Sequence, residues 1–171
     1  LAALNYGWLL MLLPQGILAQ GIATAAFPTF AAQAARGAAQ EMRQTLTTIL
    51  RALLATTIPA SVGLILLGAP LVRLLLERGA FDARSTQLVA YALSVYALGL
   101  VAHSVVEVVS RAYYAVHDTW TPVAVGLAAM AANVALSLAL RGPLGHGGLA
   151  LANTLATTGE MVALVLLLRR R

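Results

Sequence analysis

The sequence lacks cysteine and lysine, and it has few charged and few aromatic residues. Its 171 residues are 60% hydrophobic, 10% charged and 6% aromatic. A soluble domain carries about 25% charged residues and exposes only small apolar patches. This composition therefore excludes an ordinary water-soluble fold. Without cysteine the chain forms neither a disulfide nor a thiolate metal site.

The sequence motifs of common enzymes are also missing. It contains no His-Glu-x-x-His helix, no Gly-x-Ser-x-Gly elbow and no P-loop, so we expect a protein that is not an enzyme. The net charge is +5, and arginine supplies all of the permanent positive charge because there is no lysine. Because no basic patch with interleaved aromatic residues accompanies it, we expect no nucleic-acid partner. Arginines at helix ends, facing anionic membrane lipid, explain the charge more simply.

Five long apolar stretches fill most of the chain. A helix needs about 20 apolar residues to cross a hydrocarbon core of about 30 Å. Strands of a membrane barrel are shorter than these stretches and alternate apolar with polar residues, which these stretches do not. We predict an all-α, polytopic transmembrane helical bundle that forms one membrane-embedded region over residues 1–171. The predicted spans are residues 4–35, 50–67, 87–113, 123–140 and 149–168.

Proline and polar residues interrupt this pattern at several places. Proline removes a backbone donor, so we expect a kink near Pro14. Residues 36–48 are polar and are expected to lie at the membrane surface. Residues 69–79 are amphipathic, with Arg73 and Glu77 one turn apart, and predict an interfacial helix.

Residues suited to helix capping precede the third and fourth spans. Ser85 or Thr86 is expected to cap the third helix, and Thr119 or Thr121 the fourth. A turn rich in glycine, residues 142–148, separates the last two spans.

The arginines also predict an orientation. With five crossings, one side of the membrane holds seven arginines and the other holds four, which favours the first side as cytoplasmic. The seven are Arg36, Arg43, Arg51, Arg111, Arg169, Arg170 and Arg171, and the four are Arg73, Arg78, Arg84 and Arg141.

A few polar residues inside the spans are candidates for a substrate cavity. Glu107 and Arg111 are four residues apart, so they form either a local ion pair or part of a transport path. Glu160 has no basic residue within four positions, and an ionised carboxylate in a bilayer costs ~2.5–3.5 kcal/mol, so it either bonds to another helix or serves transport. Gln15 and Gln20 lie where the first helix is expected to break, which is tolerated only against protein or a water-filled cavity.

Side-chain oxygens in the last two spans suggest a cation site. Asn133 and Ser137 are one turn apart in the fourth span, and Asn153 lies in the fifth. Across a hairpin these residues either bind a metal cation or simply hydrogen-bond the two helices together, at only ~0.6 kcal/mol per bond.

Four stretches together resemble the MurJ (MviN) lipid II flippase family of the multidrug/oligosaccharidyl-lipid/polysaccharide exporter superfamily. They are QGIATAAFPT at 20–29, LLERGAFD at 75–82, RAYYA with DTWTPV at 111–123, and GPLGHGGLALA at 142–152. The resemblance covers most of the chain and implies helices eight to twelve of fourteen, part of the second lobe. The N-terminal lobe of the same protein would then be a partner.

This resemblance implies a function as well as a fold. Such proteins flip lipid II, a polyprenyl-pyrophosphate-linked peptidoglycan precursor, across the bacterial cytoplasmic membrane by alternating access, and thereby serve cell-wall biogenesis and cell shape. No cofactor is implied beyond coupling to a sodium ion or to the membrane potential. The family often has an acid and an arginine where this chain has Tyr6-Gly7-Trp8-Leu9, and a basic residue where it has Glu107. These departures leave two alternatives open: transport of another lipid-linked glycan, or a non-transporting scaffold of the cell envelope.

Overall fold

A computed structural model describes residues 2–77 and 82–169, apart from the side chains of residues 143, 144 and 146. The described residues are helical throughout, except for short turns, and contain no strand. The helices are α1 (Ala2–Gln15), a π-helical turn (Gly16–Gln20), α2 (Gly21–Ala35), α3 (Ala39–Leu76), α4 (Ala83–Ala115), α5 (Trp120–Gly142) and α6 (Gly147–Arg169).

Within the described residues, five helical segments are long and apolar enough to cross a membrane, as the sequence predicted. The first combines α1, the π-helical turn and α2, and each of the other four is a single helix. The chain is thus a multi-pass, all-α membrane protein, and its described residues form a helical bundle. The glycine-rich turn between the last two spans reverses at Gly145, whose φ of +54° favours a residue without a side chain.

The central helix of the bundle is α4. It packs against α1, α2, α3 and α6, and its residues Leu93, Leu100, Val108 and Tyr113 are fully buried. By contrast, α5 lies at the edge of the bundle, and none of the residues in its most apolar 18-residue stretch is buried.

Small residues and hydrogen bonds hold the helices against α4. Gly7 of α1 lies so close that a Cβ there would be 3.0 Å from the backbone nitrogen of Leu93. The hydroxyl of Ser61 in α3 donates to the carbonyl of Ala97 at 2.6 Å, and the hydroxyl of Tyr113 donates to the carbonyl of Leu164 in α6 at 3.0 Å. Helices in lipid usually associate through close backbone approach and interhelical hydrogen bonds, because the hydrophobic effect does not drive them together there.

The first span departs from regular α geometry just after Pro14. The π-helical turn contains one wide turn of backbone at Gly16–Gln20, and α2 follows directly. Proline and π-helical turns both interrupt the hydrogen-bond ladder of a helix. The expected irregularity near Pro14 is therefore present in this form.

The second span is longer than predicted, and the separate interfacial helix at 69–79 is absent where the structure describes it. Residues 39–76 form one helix, about 57 Å long at about 1.5 Å per residue. At its start, Met42 and Leu46 pack into the core that the helix shares with α2 and α4. Near its end, Val72 is fully buried. Core packing at both ends thus extends the helix beyond its apolar middle. The last two residues of the predicted interfacial helix, 78 and 79, lie outside the described part.

Asp82 caps α4 instead of the predicted Ser85 or Thr86. At α5, Thr119 directly precedes the helix as predicted, but the side chain that accepts the first-turn hydrogen bonds is that of Asp118. Asp82 precedes α4, and its Oδ1 accepts a hydrogen bond from the backbone nitrogen of Ser85 at 2.8 Å. Asp118 accepts from the backbone nitrogen of Thr121 at 3.0 Å and from the Thr121 hydroxyl at 2.6 Å. A carboxylate satisfies the free N–H groups of a first helical turn as well as a hydroxyl does.

Candidate functional site

One face of α4 carries three polar side chains. His103, Glu107 and Arg111 follow each other at four-residue spacing, so they lie one above another on the helix. Arg111 Nη2 is 3.0 Å from Glu107 Oε1, and the two side chains are 35% and 28% exposed. The structure thus contains the local ion pair that the spacing suggested. We call these three residues the α4 polar face.

Two neighbouring helices flank this face at His103. The imidazole Nε2 lies 3.0 Å from Oδ1 of Asn153 in α6, and with Nε2 protonated the ring donates to that oxygen. From α1, the indole of Trp8 meets the imidazole edge to face, with ring centroids 5.3 Å apart, and meets Tyr96 in the same way at 5.4 Å. These contacts place His103 between α1 and α6. Glu107 and Arg111 lie one and two turns further along α4, on the half of that helix against which α2 packs.

The two glutamines predicted near the break in the first helix occupy different environments. Gln15, the last residue of α1, is 8% exposed, and its Oε1 has no hydrogen-bond donor within the described part of the chain. Gln20, the last residue of the π-helical turn, is exposed. Only Gln15 is therefore placed as a buried polar group at the irregular part of the first span.

Glu160 does not join the α4 polar face. It lies in α6 and lines a groove against α5, together with Ala128, Ala132, Ala156 and Gly159. Of the five residues predicted for a substrate cavity, the structure brings together Glu107 and Arg111 and places Glu160 in a separate groove.

The three oxygen ligands predicted for a cation are divided between two hydrogen-bonded pairs. The Ser137 hydroxyl donates to Asn133 Oδ1 at 3.1 Å within α5, whereas Asn153 bonds to His103. Among the described residues, no cluster of three or more His, Asp or Glu side chains is placed to hold a metal ion. Asn153 therefore forms a hydrogen bond between two helices, whereas Asn133 and Ser137 bond to each other within one helix.

A further cavity of about 330 Å³ lies at the end of the bundle where α2 is followed by α3. Its walls are mostly apolar, from Ala34, Met42, Leu46 and Leu168, and Arg43 is its charged residue. The α4 polar face is not part of this cavity.

Trp8 and the pairing of His103 with Asn153 are the parts of the site that sequence reasoning did not identify. The four-residue spacing from His103 to Glu107 was a visible signal that both lie on one helix face. No comparable signal connects residue 103 with residue 8 or 153, because those contacts depend on how three helices pack.

Comparison with known proteins identifies the family. The family model described as lipid II flippase MurJ matches residues 1–171, the whole chain. The chain belongs to the lipid II flippase MurJ family. The MurJ resemblance predicted from four short stretches is therefore confirmed.

Individual MurJ relatives agree with this assignment. A probable lipid II flippase MurJ of Rhizobium tropici is 34% identical over 171 residues, which are 100% of this chain and 32% of that protein. The lipid II flippase MurJ of Thermosipho africanus is 30% identical over 153 residues, covering 90% of this chain and 31% of that protein. A solved structure of a lipid II flippase MurJ in an inward closed conformation matches with a TM-score of 0.89 at 28% identity, covering 98% of this chain and 35% of that chain. The chain thus spans about a third of the length of these MurJ relatives.

Proposed function

We propose that the protein containing these 171 residues is a lipid II flippase. It moves a polyprenyl-pyrophosphate-linked peptidoglycan precursor across the bacterial cytoplasmic membrane and acts as a transporter rather than as an enzyme. The single observation that carries this proposal is the match of the MurJ family model to every residue of the chain. Because the chain spans about a third of its relatives, it supplies part of the transport path, and the other lobe supplies the rest.

The α4 polar face is the part of the chain suited to the substrate headgroup. A pyrophosphate is a multiply charged anion, and a guanidinium binds phosphate oxygens through two parallel hydrogen bonds. Arg111 is partly exposed and is held in place by Glu107 at 3.0 Å. We assign Arg111 the contact with the anionic headgroup, and Glu107 the role of orienting it.

Complementation with two matched variants tests this assignment. The complete product of the gene that carries this sequence would be expressed in a bacterium depleted of its own lipid II flippase. Arg111→Gln removes the cation, whereas Glu107→Gln keeps it and frees it from its partner. We expect Arg111→Gln to abolish growth and Glu107→Gln, which loses only the orienting partner, to slow it less, because a charge-assisted hydrogen bond is worth about 1.5–3 kcal/mol, or about 10-fold to 150-fold in affinity.

A purely structural ion pair predicts a different result. Exposed pairs at four-residue spacing contribute only about 0.3–0.5 kcal/mol, and either substitution breaks the pair equally. Equal growth of the two variants, at equal protein levels in the membrane, would therefore contradict a role of Arg111 in binding. Failure of the unaltered protein to complement, despite good expression, would contradict the flippase proposal itself.

The ion pair also favours a second candidate, transport of another lipid-linked glycan. Because Glu107 neutralises Arg111, this stretch of the polar face offers an anion less net positive charge than an unpaired arginine would. A headgroup with a single phosphate, or with a zwitterionic sugar, suits such a face better than a pyrophosphate. Binding of purified protein to a panel of polyprenyl-linked glycans separates the candidates, since lipid II would bind no more tightly than the others if the second were correct.

A further inference from the structure

The groove between α5 and α6 places a carboxyl group among apolar side chains. The groove has a volume of about 250 Å³, and apart from Glu160 it is lined by alanine, valine, leucine and glycine residues of the two helices. Gly126 of α5 lies beside the carboxyl, because a Cβ at that position would be at ordinary contact distance, 3.5 Å, from Glu160 Oε1. The site therefore fits a carboxyl group and offers it no polar lining side chain.

No cation of the described chain compensates the charge of Glu160. Facing it, α5 contains no ionisable residue between Trp120 and Leu140. On α4, the neighbouring ionisable residues are engaged elsewhere, since Arg111 pairs with Glu107 and His103 bonds to Asn153. The nearest arginines in sequence on the two groove helices, Arg141 and Arg169, lie at the ends of those helices.

We propose that Glu160 is a proton-binding site in the α5–α6 groove. A carboxylate in an apolar membrane environment must gain a cation or a proton. Hard metal cations require several oxygen ligands, and no other lining side chain of the groove carries an oxygen. A proton needs only the carboxylate itself.

Protonation at this position acts on the packing of α5. This helix lies at the edge of the bundle, and none of its most apolar 18-residue stretch is buried. It is therefore the span that packs least against the rest of the described chain. A neutral carboxyl lets the small residues of the groove stay in contact. An ionised one draws water toward it and separates the two helices. Proton binding at Glu160 thus controls the spacing of α5 and α6.

Carbodiimide labelling of the unaltered protein tests the proposal. Dicyclohexylcarbodiimide enters membranes and reacts with protonated carboxyl groups, and mass spectrometry of the peptides locates the adduct. Glu107 is an internal control, because it also lies within a span but has a cationic partner in Arg111. At neutral pH we expect at least about tenfold more adduct on Glu160 than on Glu107, decreasing as the pH is raised. Equal labelling of the two residues, or no adduct on Glu160, would overturn the proposal.

Infrared spectroscopy of two variants provides an independent measurement. In lipid nanodiscs, the carbonyl band of a protonated carboxyl group should be present in the complete protein, absent from Glu160→Gln and retained in Glu107→Gln. A band that survives Glu160→Gln would disprove the assignment. Both measurements detect the proton without any substrate, so they remain decisive if the flippase proposal fails, and complementation remains decisive if the proton site fails.

Discussion

Two helical glycines show how one residue type serves opposite roles in this bundle. At Gly7 a Cβ would lie 3.0 Å from the Leu93 backbone nitrogen and 3.2 Å from the Ala92 Cβ, whereas at Gly63 nothing lies within 4 Å. Backbone atoms cannot move aside as a flexible side chain can. The absence of a side chain is therefore required at Gly7, where α1 meets α4, and not at Gly63.

Alanine at these two positions should have opposite effects on stability. We expect Gly7→Ala to destabilise the protein by about 1–3 kcal/mol, the usual cost of overpacking a core. Gly63→Ala should be neutral or stabilising by up to about 1 kcal/mol, because alanine is the better helix former. Thermal unfolding in detergent measures both, and a Gly7→Ala midpoint equal to that of the unaltered protein would contradict the close α1–α4 contact.

The charge of Asp82 should make the stability of the α4 cap depend on pH. The hydrogen bond from the Ser85 backbone holds the pKa of this exposed carboxyl below its ordinary value. A lowered pKa in the folded state means that the ionised carboxyl stabilises the fold above its ordinary pKa of about 3.9, and that this contribution is lost as the pH falls through the lower, folded value.

Variants at Asp82 isolate that contribution. Asp82→Ala should unfold at a lower temperature than the unaltered protein at pH 7, and the difference should shrink as the pH falls below about 4. Asp82→Asn keeps an acceptor for the Ser85 nitrogen without a charge, so it should be less sensitive to pH. A constant difference between Asp82→Ala and the unaltered protein, from neutral to acid pH, would argue against a contribution from ionisation.

Among the candidate residues, only local relationships could be predicted from the sequence. Glu107 and Arg111 pair because four residues separate them on one helix. The contacts of His103 with Trp8 and Asn153 join residues 95 and 50 positions away, and no periodicity encodes such distances. The position of Glu160 in a separate groove depends likewise on which face of α6 meets α5.

At the scale of helices, hydropathy predicted how many spans exist better than where they end. All five spans were predicted, yet α3 begins at Ala39 and ends at Leu76, whereas its apolar stretch was assigned to residues 50–67. The polar stretch at 36–48 and the amphipathic stretch at 69–79 set the limits of the predicted span. The helix continues past them because Met42 and Leu46 at one end and Val72 at the other pack into the two hydrophobic cores. An average of hydropathy over consecutive residues does not detect a helix end at which only one face is apolar and packed.

Hydrogen bonds between helices should matter more than those within one helix. Asn153 of α6 bonds to His103 of α4, whereas Asn133 bonds to Ser137 in its own helix. We expect Asn153→Leu to lower stability by about 0.6–2 kcal/mol, because it leaves the imidazole donor without its partner. Asn133→Leu should change stability by less than about 0.5 kcal/mol.

The comparison of these two variants is a direct test of the α4–α6 contact. Both introduce the same side chain in place of the same amide within a span, so the change in hydrophobicity is matched. Thermal unfolding in the same detergent gives the difference. If Asn133→Leu were as destabilising as Asn153→Leu, the contact between His103 and Asn153 would not be a source of bundle stability.

At the scale of the whole molecule, the five spans require the connecting turns to alternate between the two sides of the membrane. The turns after α2 and α4 lie on one side, and those after α3 and α5 on the other. The arginine distribution favours the first side as cytoplasmic, since it holds seven of the eleven arginines. In this orientation Arg111, near the end of α4, lies toward the cytoplasmic side, as its proposed contact with the headgroup requires.

Single cysteines test this topology, and the 171 residues contain no cysteine of their own that would compete for the label. Gln40→Cys and Val116→Cys probe the first side, and Arg84→Cys and Gly142→Cys probe the second, all at exposed positions. In intact cells made permeable only at the outer membrane, a membrane-impermeant maleimide should label the second pair and leave the first pair unlabelled until the cells are lysed. Labelling of Arg84→Cys and Val116→Cys from the same side would mean that α4 does not cross the bilayer. The helix that carries the polar face would then be unable to present Arg111 to a substrate passing between the two leaflets.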